Sequence, residues 1–411
     1  MLSYQQARRT VIEQVQSRTT RPRATTILDV WNALGSVLAE EVRADRDYPP
    51  FNRSTRDGYA VRAADVREGA ALPCTKEIKA GDAVSEPLAP GSCAQIMTGA
   101  ALPAGADAVV MIEHAHAEGS PRGPGAGVVR FDRAVKSGEH VVAQGLEVKA
   151  GQTVLAAGTR LGFAELAVAA QVGHAKLLCA VKPRVAILST GDEVAGVEEV
   201  PGPFQIRNSN SISLSAQVTL AGGDPVLLGH AADRTEDLAS KIERGVSEDV
   251  LVLSGGVSRG KYDLVENVLK EMTAQIYFDS VAIRPGKPAV FGRLGGAFVF
   301  GLPGNPVSTM VTFELFVAPA LDLVSGAVPR PLPLLQARLG AAMREKPGLT
   351  HFLPGRLEWR DTMPEVTALP WQGSGDVAAL ARANCFLVVP PDRENLQKGE
   401  TVAVLIRKDV I

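Results

Sequence analysis

Apolar residues recur at intervals of three and four near the start of the chain. This spacing predicts amphipathic helices over residues 4–18 and 27–43, with a further helical piece in GFAELAVAAQVG. Between these segments, short β-like runs alternate with Gly and Pro turns. We therefore expect a discontinuous helical domain, residues 1–46 plus 148–180, that is split by an inserted β-rich domain, residues 47–147.

The pattern changes from residue 181, where short apolar strands alternate with helices of ten to fifteen residues. Such alternation is typical of a parallel, doubly wound sheet, and we expect one α/β domain over residues 181–327. After residue 328 the helical period is lost, and the remaining strands predict a C-terminal β-barrel domain over residues 328–411. The expected fold class is α/β multidomain.

Composition and charge exclude several classes of protein. The chain has 411 residues with 43 Lys and Arg against 45 Asp and Glu, a formal net charge of -2. This balance offers no electrostatic basis for binding nucleic acid or an anionic membrane. No stretch reaches the roughly 18 uninterrupted apolar residues of a membrane helix, and the N-terminus lacks the apolar core of a signal peptide. The four cysteines form no C-x-x-C pair, so we expect neither disulfides nor a zinc site. We also expect a cytoplasmic location.

Candidate chemistry lies at the carboxyl ends of the predicted α/β strands, where open α/β sheets bind ligands. One set is acidic and consists of Asp192, Glu193, Asp233 and Asp263. The other set suits anions, because the glycine loop from residue 254 to 260 precedes a helix, and Arg284 and Lys287 add positive charge. Carboxylates beside a phosphate site need a cation between them, usually Mg²⁺. We therefore predict a phosphorylated ligand bound with Mg²⁺, although each loop alone would be an ordinary turn.

The inserted domain carries a second constellation. Asp57 is presented at a Gly turn in STRDGYAV, and Thr98 is a hydroxyl at the Gly bend of QIMTGA. Two interpretations stay open at this stage. The two side chains are ordinary turn residues, or they complete a cleft with the α/β domain of another subunit.

Six phrases in this order resemble one family: STRDGYAV, QIMTGA, STGDE, SGGVSRGKYD, RPGKP and GLPGNPVS. The chain is similar over essentially its whole length to the molybdopterin molybdenumtransferases, a family that includes the C-terminal domain of gephyrin. The resemblance implies a homodimer whose α/β domain has the molybdopterin-binding fold. It also implies that adenylylated molybdopterin and molybdate are converted to molybdenum cofactor and AMP with Mg²⁺. The active site would lie between the α/β domain of one subunit and the inserted domain of the other.

The family's functional residues carry over by motif. The resemblance implies catalytic roles for Asp57, Thr98, Glu193, Asp233 and Asp263, and the last three are the expected metal ligands. It implies substrate contacts for Ser254, Gly255, Gly256, Ser258, Arg284, Lys287, Pro303, Pro306, Arg356 and Ser374. Three positions depart from the family pattern: Arg284 replaces a common lysine, Glu147 an aspartate, and Pro354 an arginine.

Two alternative functions are a molybdopterin adenylyltransferase and a non-enzymatic molybdopterin-binding scaffold. Molybdopterin adenylyltransferase and apo-molybdoenzymes are candidate protein partners, whereas nucleic acid and membranes are not expected. The sequence leaves the choice between molybdenum and tungsten open.

Overall fold

The computed structural model describes residues 1–18, 24–118, 127–257, 264–360, 363–407 and 409–410. The helices are α1 (Tyr4–Gln16), α2 (Phe163–Gln171), α3 (Ser209–Ala221), α4 (Thr235–Gly245), α5 (Leu264–Glu271), α6 (Pro306–Thr312), α7 (Ala318–Val324) and α8 (Val377–Arg382). The strands up to residue 180 are β1 (Thr25–Asp29), β2 (Val42–Arg43), β3 (Arg53–Ser54), β4 (Gly58–Val61), β5 (Ala71–Ile78), β6 (Cys93–Ile96), β7 (Ala108–Met111), β8 (Ala115–Glu118), β9 (Val128–Phe131), β10 (Val141–Val142), β11 (Thr153–Leu155) and β12 (Lys176–Ala180). The later strands are β13 (Arg184–Thr190), β14 (Val194–Ala195), β15 (Ile206–Arg207), β16 (Asp224–Ala231), β17 (Val250–Ser254), β18 (Gln275–Phe278), β19 (Ile283–Arg284), β20 (Val290–Leu294), β21 (Ala297–Leu302), β22 (Leu334–Leu339), β23 (Met343–Arg344), β24 (Thr350–Arg360), β25 (Met363–Ala368), β26 (Cys385–Val389), β27 (Asn395–Leu396) and β28 (Thr401–Ile406).

The helix predicted over residues 27–43 is wrong. This segment forms β1, a single 3₁₀ turn and β2, which pair with β12 and β11 from the far side of the insertion. Gly35 has φ +77°, a left-handed conformation that interrupts a helix. Leu38 and Val42 are buried together with Leu177 and Cys179 in one small core. The two parts of this split unit are therefore joined mainly by strand pairs, with α2 as the predicted helical piece.

Helix α1 begins at an N-cap serine, Ser3, whose hydroxyl accepts the N–H of Gln6. Its buried face packs against α7 and the core of the α/β unit, and consists of Tyr4, Ala7, Val11 and Val15. The predicted helix over residues 4–18 is thus confirmed. Its partners differ from the predicted grouping, because the apolar face finds its complement on the α/β unit rather than in the split unit.

The inserted segment forms a sheet with the order β7-β4-β6-β5-β9-β8. Strand β4 lies inside this sheet and is buried along its whole length. Tyr59 and Val61 face one apolar cluster, whereas Ala60 faces another on the opposite side. Because both faces are covered, the strand reads as a continuous apolar run rather than an alternating one.

The α/β unit has a six-stranded sheet in the order β16-β13-β17-β21-β20-β18. Strands β16, β13, β17 and β21 are parallel. Alternate residues of β13 point to opposite faces, so Ile187 packs on the side of α3 and α6, and Leu188 on the side of α4 and α5. The doubly wound α/β fold is therefore confirmed.

One strand near the side of this sheet, β20, runs in the opposite direction to the parallel strands. Strand β20 is antiparallel to both β21 and β18. The amino end of β20 therefore lies at the same edge of the sheet as the carboxyl ends of the parallel strands. Any loop that enters β20 reaches that edge as well.

The segment Pro306–Val324 is one continuous helical run that contains α6, a π-helical turn and α7. It has the length and hydropathy of a membrane span, but most of it is buried among the strands and α1. We therefore assign it as the core helix of the α/β unit.

The last unit is a closed barrel in the order β24-β25-β22-β28-β26, with β26 paired back to β24. Its interior is apolar and includes Leu353, Val366, Leu387 and Val404. Strand β19, from the α/β region, pairs with β24 and joins the two units. The predicted C-terminal β-barrel is confirmed.

Candidate active-site cleft

The strand register aligns five loops at one edge of the α/β sheet. Thr190 is paired with Ala231, Ser254 with Leu302, and Gly301 with Val290. The loops after β13, β16, β17 and β21, and the loop before β20, therefore meet at the carboxyl edge. This edge is where the sequence predicted a ligand site.

The acidic tips of β13 and β16 are joined to each other. The Oδ1 atom of Asp192 accepts the backbone N–H of Asp233 at 3.0 Å. The carboxylate of Glu193 folds over Gly191, where a Cβ would lie 2.6 Å from Glu193 Oε2. Glu193 and Asp233 are exposed, and neither forms an ion pair within the described part of the chain. Their negative charges are thus available to a cation.

The described start of the glycine loop after β17 is held in place by hydrogen bonds from a side chain of α3 and by close backbone packing. The Nδ2 atom of Asn210 donates to Ser254 Oγ at 2.8 Å and to the Gly304 carbonyl at 2.7 Å. Gly255 has φ +100°, and a Cβ there would lie 2.6 Å from the Thr190 carbonyl oxygen. Only glycine fits at this close approach. The start of the loop, residues 254–256, therefore has a defined position against the tips of β13 and β21.

Two predicted residues, Ser258 and Asp263, lie outside the described residues. Their roles as a substrate contact and a catalytic metal ligand stay predictions. Within the described ranges, no group of three or more His, Cys, Asp or Glu side chains is arranged to hold a metal ion.

The basic tip precedes β20. Arg284 ends β19, and the Lys287 carbonyl accepts the N–H groups of Val281 at 2.9 Å and Ala289 at 3.1 Å, so the segment turns back on itself. The Arg284 and Lys287 side chains are exposed and form no ion pair with any described residue. Cations and carboxylates thus occupy the same sheet edge without neutralising each other.

The loop after β21 links this edge to the barrel. Pro306 begins α6, and the Pro303 carbonyl accepts the Thr309 hydroxyl at 2.5 Å. Ser374, from a loop of the barrel unit, accepts a hydrogen bond from Asn305 Nδ2 at 2.9 Å. The structure therefore brings Pro303, Pro306 and Ser374 together with the cleft.

Asp57 and Thr98 form a pair on the inserted sheet. Asp57 Oδ1 accepts the backbone N–H of Thr98 at 2.7 Å and its hydroxyl at 2.9 Å. The backbone bond first, and the hydroxyl bond second, lower the pKa of Asp57 below its usual range. Both side chains are exposed, and the bonds recorded for the Asp57 carboxylate within the described residues all come from Thr98.

Two residues singled out from the sequence have other neighbours. Arg356 is exposed on β24, with its Nε atom 4.0 Å from Glu358 Oε1. Glu147 pairs with Arg53 at 2.8 Å within the first half of the chain. Neither is connected to the cleft by a bond between described residues, and the substrate contact of Arg356 stays a prediction.

Sequence reasoning missed two cleft residues, Thr190 and Asn210. Thr190 lies in the motif STGDE, and Asn210 near the start of α3, where an asparagine is expected to cap the helix. The cap is in fact Asn208, whose side chain accepts the N–H of Ser211. Because the cap position is already filled, a second asparagine two residues later, Asn210, was a signal in the sequence for a role other than capping.

Family models match most of the chain. Residues 2–173 match the MoeA N-terminal region (domain I and II), residues 186–323 a probable molybdopterin binding domain, and residues 336–406 the MoeA C-terminal region (domain IV). A Nostoc protein named molybdopterin molybdenumtransferase is 34% identical over 392 residues, which is 93% of this chain and 88% of the relative. A Haemophilus influenzae protein of the same name is 32% identical and spans 98% of both chains.

Solved structures agree with these matches. Two crystal structures of the molybdopterin biosynthesis MoeA protein of Pyrococcus horikoshii resemble this chain along nearly its full length. One has a TM-score of 0.78 at 28% identity, covering 99% of this chain and 100% of that one. The other has a TM-score of 0.74 at 32% identity, covering 97% and 98%.

Proposed function

This chain belongs to the molybdopterin molybdenumtransferase family, and from that premise we propose how its residues carry out the reaction. The protein is an enzyme of molybdenum cofactor biosynthesis that inserts molybdenum. We propose that its substrates are adenylylated molybdopterin and molybdate, and that AMP is released. The observation that carries this proposal is the coexistence, at one sheet edge, of carboxylates and cations that form no ion pair with any described residue.

Arg284 and Lys287 would bind the oxyanions. Molybdate is a tetrahedral dianion, and the substrate also carries a pyrophosphate. A guanidinium offers a fork of N–H donors, and an ammonium offers a mobile point charge. Because neither cation is neutralised by a described carboxylate, both retain their full attraction for an incoming anion.

Glu193 and Asp233 would hold Mg²⁺, with Asp263 as a third expected ligand. Mg²⁺ sites often use one or two carboxylates and complete the shell with water and substrate phosphates. The two carboxylates are exposed at adjoining strand tips and form no ion pair within the described part of the chain, which fits such a site. When bound, the ion would neutralise charge on the phosphoanhydride as AMP leaves.

A homodimer would bring Asp57 and Thr98 of one subunit to the cleft of the other. Several large apolar side chains are almost fully exposed, including Trp31 and Phe163 in the split unit. Val200 and Phe204 are equally exposed in the loop between β14 and β15, close in sequence to Glu193. We propose that these side chains are buried in the subunit interface.

The chemistry also suggests where the enzyme works and with which proteins. We place it in the cytoplasm, with molybdopterin adenylyltransferase supplying its substrate and apo-molybdoenzymes taking its product. The names of the relatives do not favour an adenylyltransferase or a scaffold function for this chain.

The direct test is to incubate the purified protein with adenylylated molybdopterin, molybdate and Mg²⁺, and to measure AMP. We expect AMP release that requires all three components. AMP release without dependence on molybdate would contradict molybdenum insertion at this site. Pyrophosphate formation from ATP and molybdopterin would support the adenylyltransferase alternative.

A further inference from the structure

Two polar atoms in the cleft are buried and have no hydrogen-bond partner among the described residues. They are the Thr190 hydroxyl and the Asn210 side-chain oxygen. Thr190 is only 4% exposed. A buried polar group without a partner is costly, and such groups in folded proteins are nearly always satisfied. Both atoms therefore need a partner that the described chain does not supply.

The amide of Asn210 has one possible orientation. Its Nδ2 atom uses both hydrogens, one for Ser254 Oγ and one for the Gly304 carbonyl. A carbonyl oxygen only accepts hydrogen bonds, so a flipped amide would place two acceptors against each other. The Asn210 Oδ1 atom can therefore only accept, and its missing partner must be an N–H or O–H donor.

The Thr190 hydroxyl lies against the glycine loop. A Cβ at position 255 would lie 2.8 Å from Thr190 Oγ1, and a Cβ at position 256 would lie 3.0 Å from it. The preceding hydroxyl behaves differently. Ser189 Oγ is bonded to Asn208 Oδ1 at 3.2 Å and to Ser211 Oγ at 2.9 Å. The Ser189 hydroxyl thus stabilises the fold, whereas the Thr190 hydroxyl remains available to bind a ligand.

Both residues line a small cavity of about 40 Å³, together with Glu193, Ser254 and Pro306. A volume of this size exceeds the roughly 10–15 Å³ that one water requires, but it is far below the several hundred Å³ of a complete ligand pocket. The cavity therefore admits a single polar group at the edge of a larger molecule.

The chemistry of the two atoms selects among parts of the substrate. Molybdate and phosphate oxygens are acceptors at neutral pH and cannot satisfy Asn210 Oδ1. Pterin and adenine carry N–H groups, and ribose carries O–H groups. We propose that Thr190 and Asn210 form a hydrogen-bonding subsite for an N–H or O–H group of the pterin or the adenosine part. This assignment rests on the proposed substrate, adenylylated molybdopterin.

Thr190→Val tests the subsite, because valine keeps the shape of threonine and removes only the hydroxyl. We expect unchanged thermal stability, since the hydroxyl has no partner among the described residues to lose. Titration calorimetry with AMP and with molybdopterin separates the two sources of the donor. The dissociation constant of the ligand that carries the donor should rise about 3- to 10-fold, as expected for one lost hydrogen bond. Thr190→Ser should bind like the wild type, and molybdate affinity should not change.

Ser189→Ala is the matched control, with lower stability and unchanged binding of both organic ligands expected. If Thr190→Val binds AMP and molybdopterin as tightly as the wild type, water fills the cavity and the subsite is refuted. A loss of stability in Thr190→Val, or weakened molybdate binding, would also overturn it. A wild type that binds both ligands but releases no AMP would contradict the proposed function and leave the subsite standing.

Discussion

Two charged regions of this protein differ in whether the chain pairs their charges. One is the buried junction formed by Asp322, Arg160 and Arg330, where α7 meets the split unit. Asp322 is 2% exposed, and its carboxylate accepts from Arg160 Nη2 at 3.0 Å and from the Arg330 backbone N–H at 2.9 Å. Burial is the main reason that the pKa of Arg160 is lowered. The chain neutralises this carboxylate itself.

In the cleft at the carboxyl edge, by contrast, the described chain leaves charged side chains without ion-pair partners. Glu193 and Asp233 are exposed and unpaired within the described residues, and so are Arg284 and Lys287. The two regions differ in whether the described chain pairs a charge, and we propose that this difference separates structural from functional charges here. A carboxylate that the fold already satisfies stabilises the fold, and one that it leaves open is available to a ligand.

The largest effect on stability is expected at the junction. Asp322→Asn would remove the carboxylate that pairs with the largely buried Arg160 and the half-buried Arg330, and the free energy of unfolding should fall by about 3–5 kcal/mol. Urea denaturation would measure it. Asp224→Asn is the control, because Asp224 also pairs with an arginine, Arg184, but is exposed, and its loss should be far smaller. Equal losses in both variants would erase the distinction between the regions.

In the cleft, we expect a substitution to lower activity and leave stability unchanged. Glu193→Gln keeps the size of the side chain and removes its charge, so AMP release should fall roughly 100-fold or more. The urea denaturation midpoint should stay at the wild-type value, because Glu193 forms no ion pair within the described residues. A destabilised variant with normal AMP release would show that Glu193 belongs with Asp322 as a structural carboxylate.

A smaller effect is expected at the Asp57–Thr98 pair. Thr98→Val removes the hydroxyl bond but keeps the backbone bond, so the pKa of Asp57 should rise toward its ordinary value. A lowered pKa keeps the Asp57 carboxylate ionised at neutral pH. This ionised form is lost as the pH falls through the pKa. The acid limb of the pH–activity profile should therefore move to higher pH in Thr98→Val and stay in place in Thr98→Ser. An acid limb that does not move would remove the Asp57 carboxylate from the reaction.

The carboxyl edge could be predicted because the central strands are buried on both faces. Strand β13 contains an apolar run, residues 185–188, and the run gives way to Ser189, Thr190 and then Gly191. The approach of Arg284 and Lys287 to the same edge was also predicted, although the strand that precedes them is short and the reversed β20 brings them there. The helix over residues 27–43 failed because apolar spacing of three and four also arises where turns separate short strands.

The missed cleft residues illustrate what local patterns do not contain. Asn210 bonds to residues 44 and 94 positions away, so its role exists only once α3, β17 and β21 are packed together. The Thr190 hydroxyl is distinguished by having no hydrogen-bond partner among the described residues. A second asparagine near the start of α3 could have drawn attention to Asn210, but neither its bonding partners nor the missing bond of Thr190 can be read from the spacing of residues along the chain.

The central claim is that the cleft of one subunit works with Asp57 of its partner, and a subunit-mixing experiment tests it most directly. Asp57→Asn and Asp233→Asn should each be nearly inactive as homodimers. When the two are unfolded together and refolded in equal amounts, random pairing makes about half of the dimers mixed, each with one native site, so AMP release should recover to about a quarter of the wild-type rate. If mixed dimers are present by native mass spectrometry and activity stays at the level of the separate variants, the site is not shared between subunits.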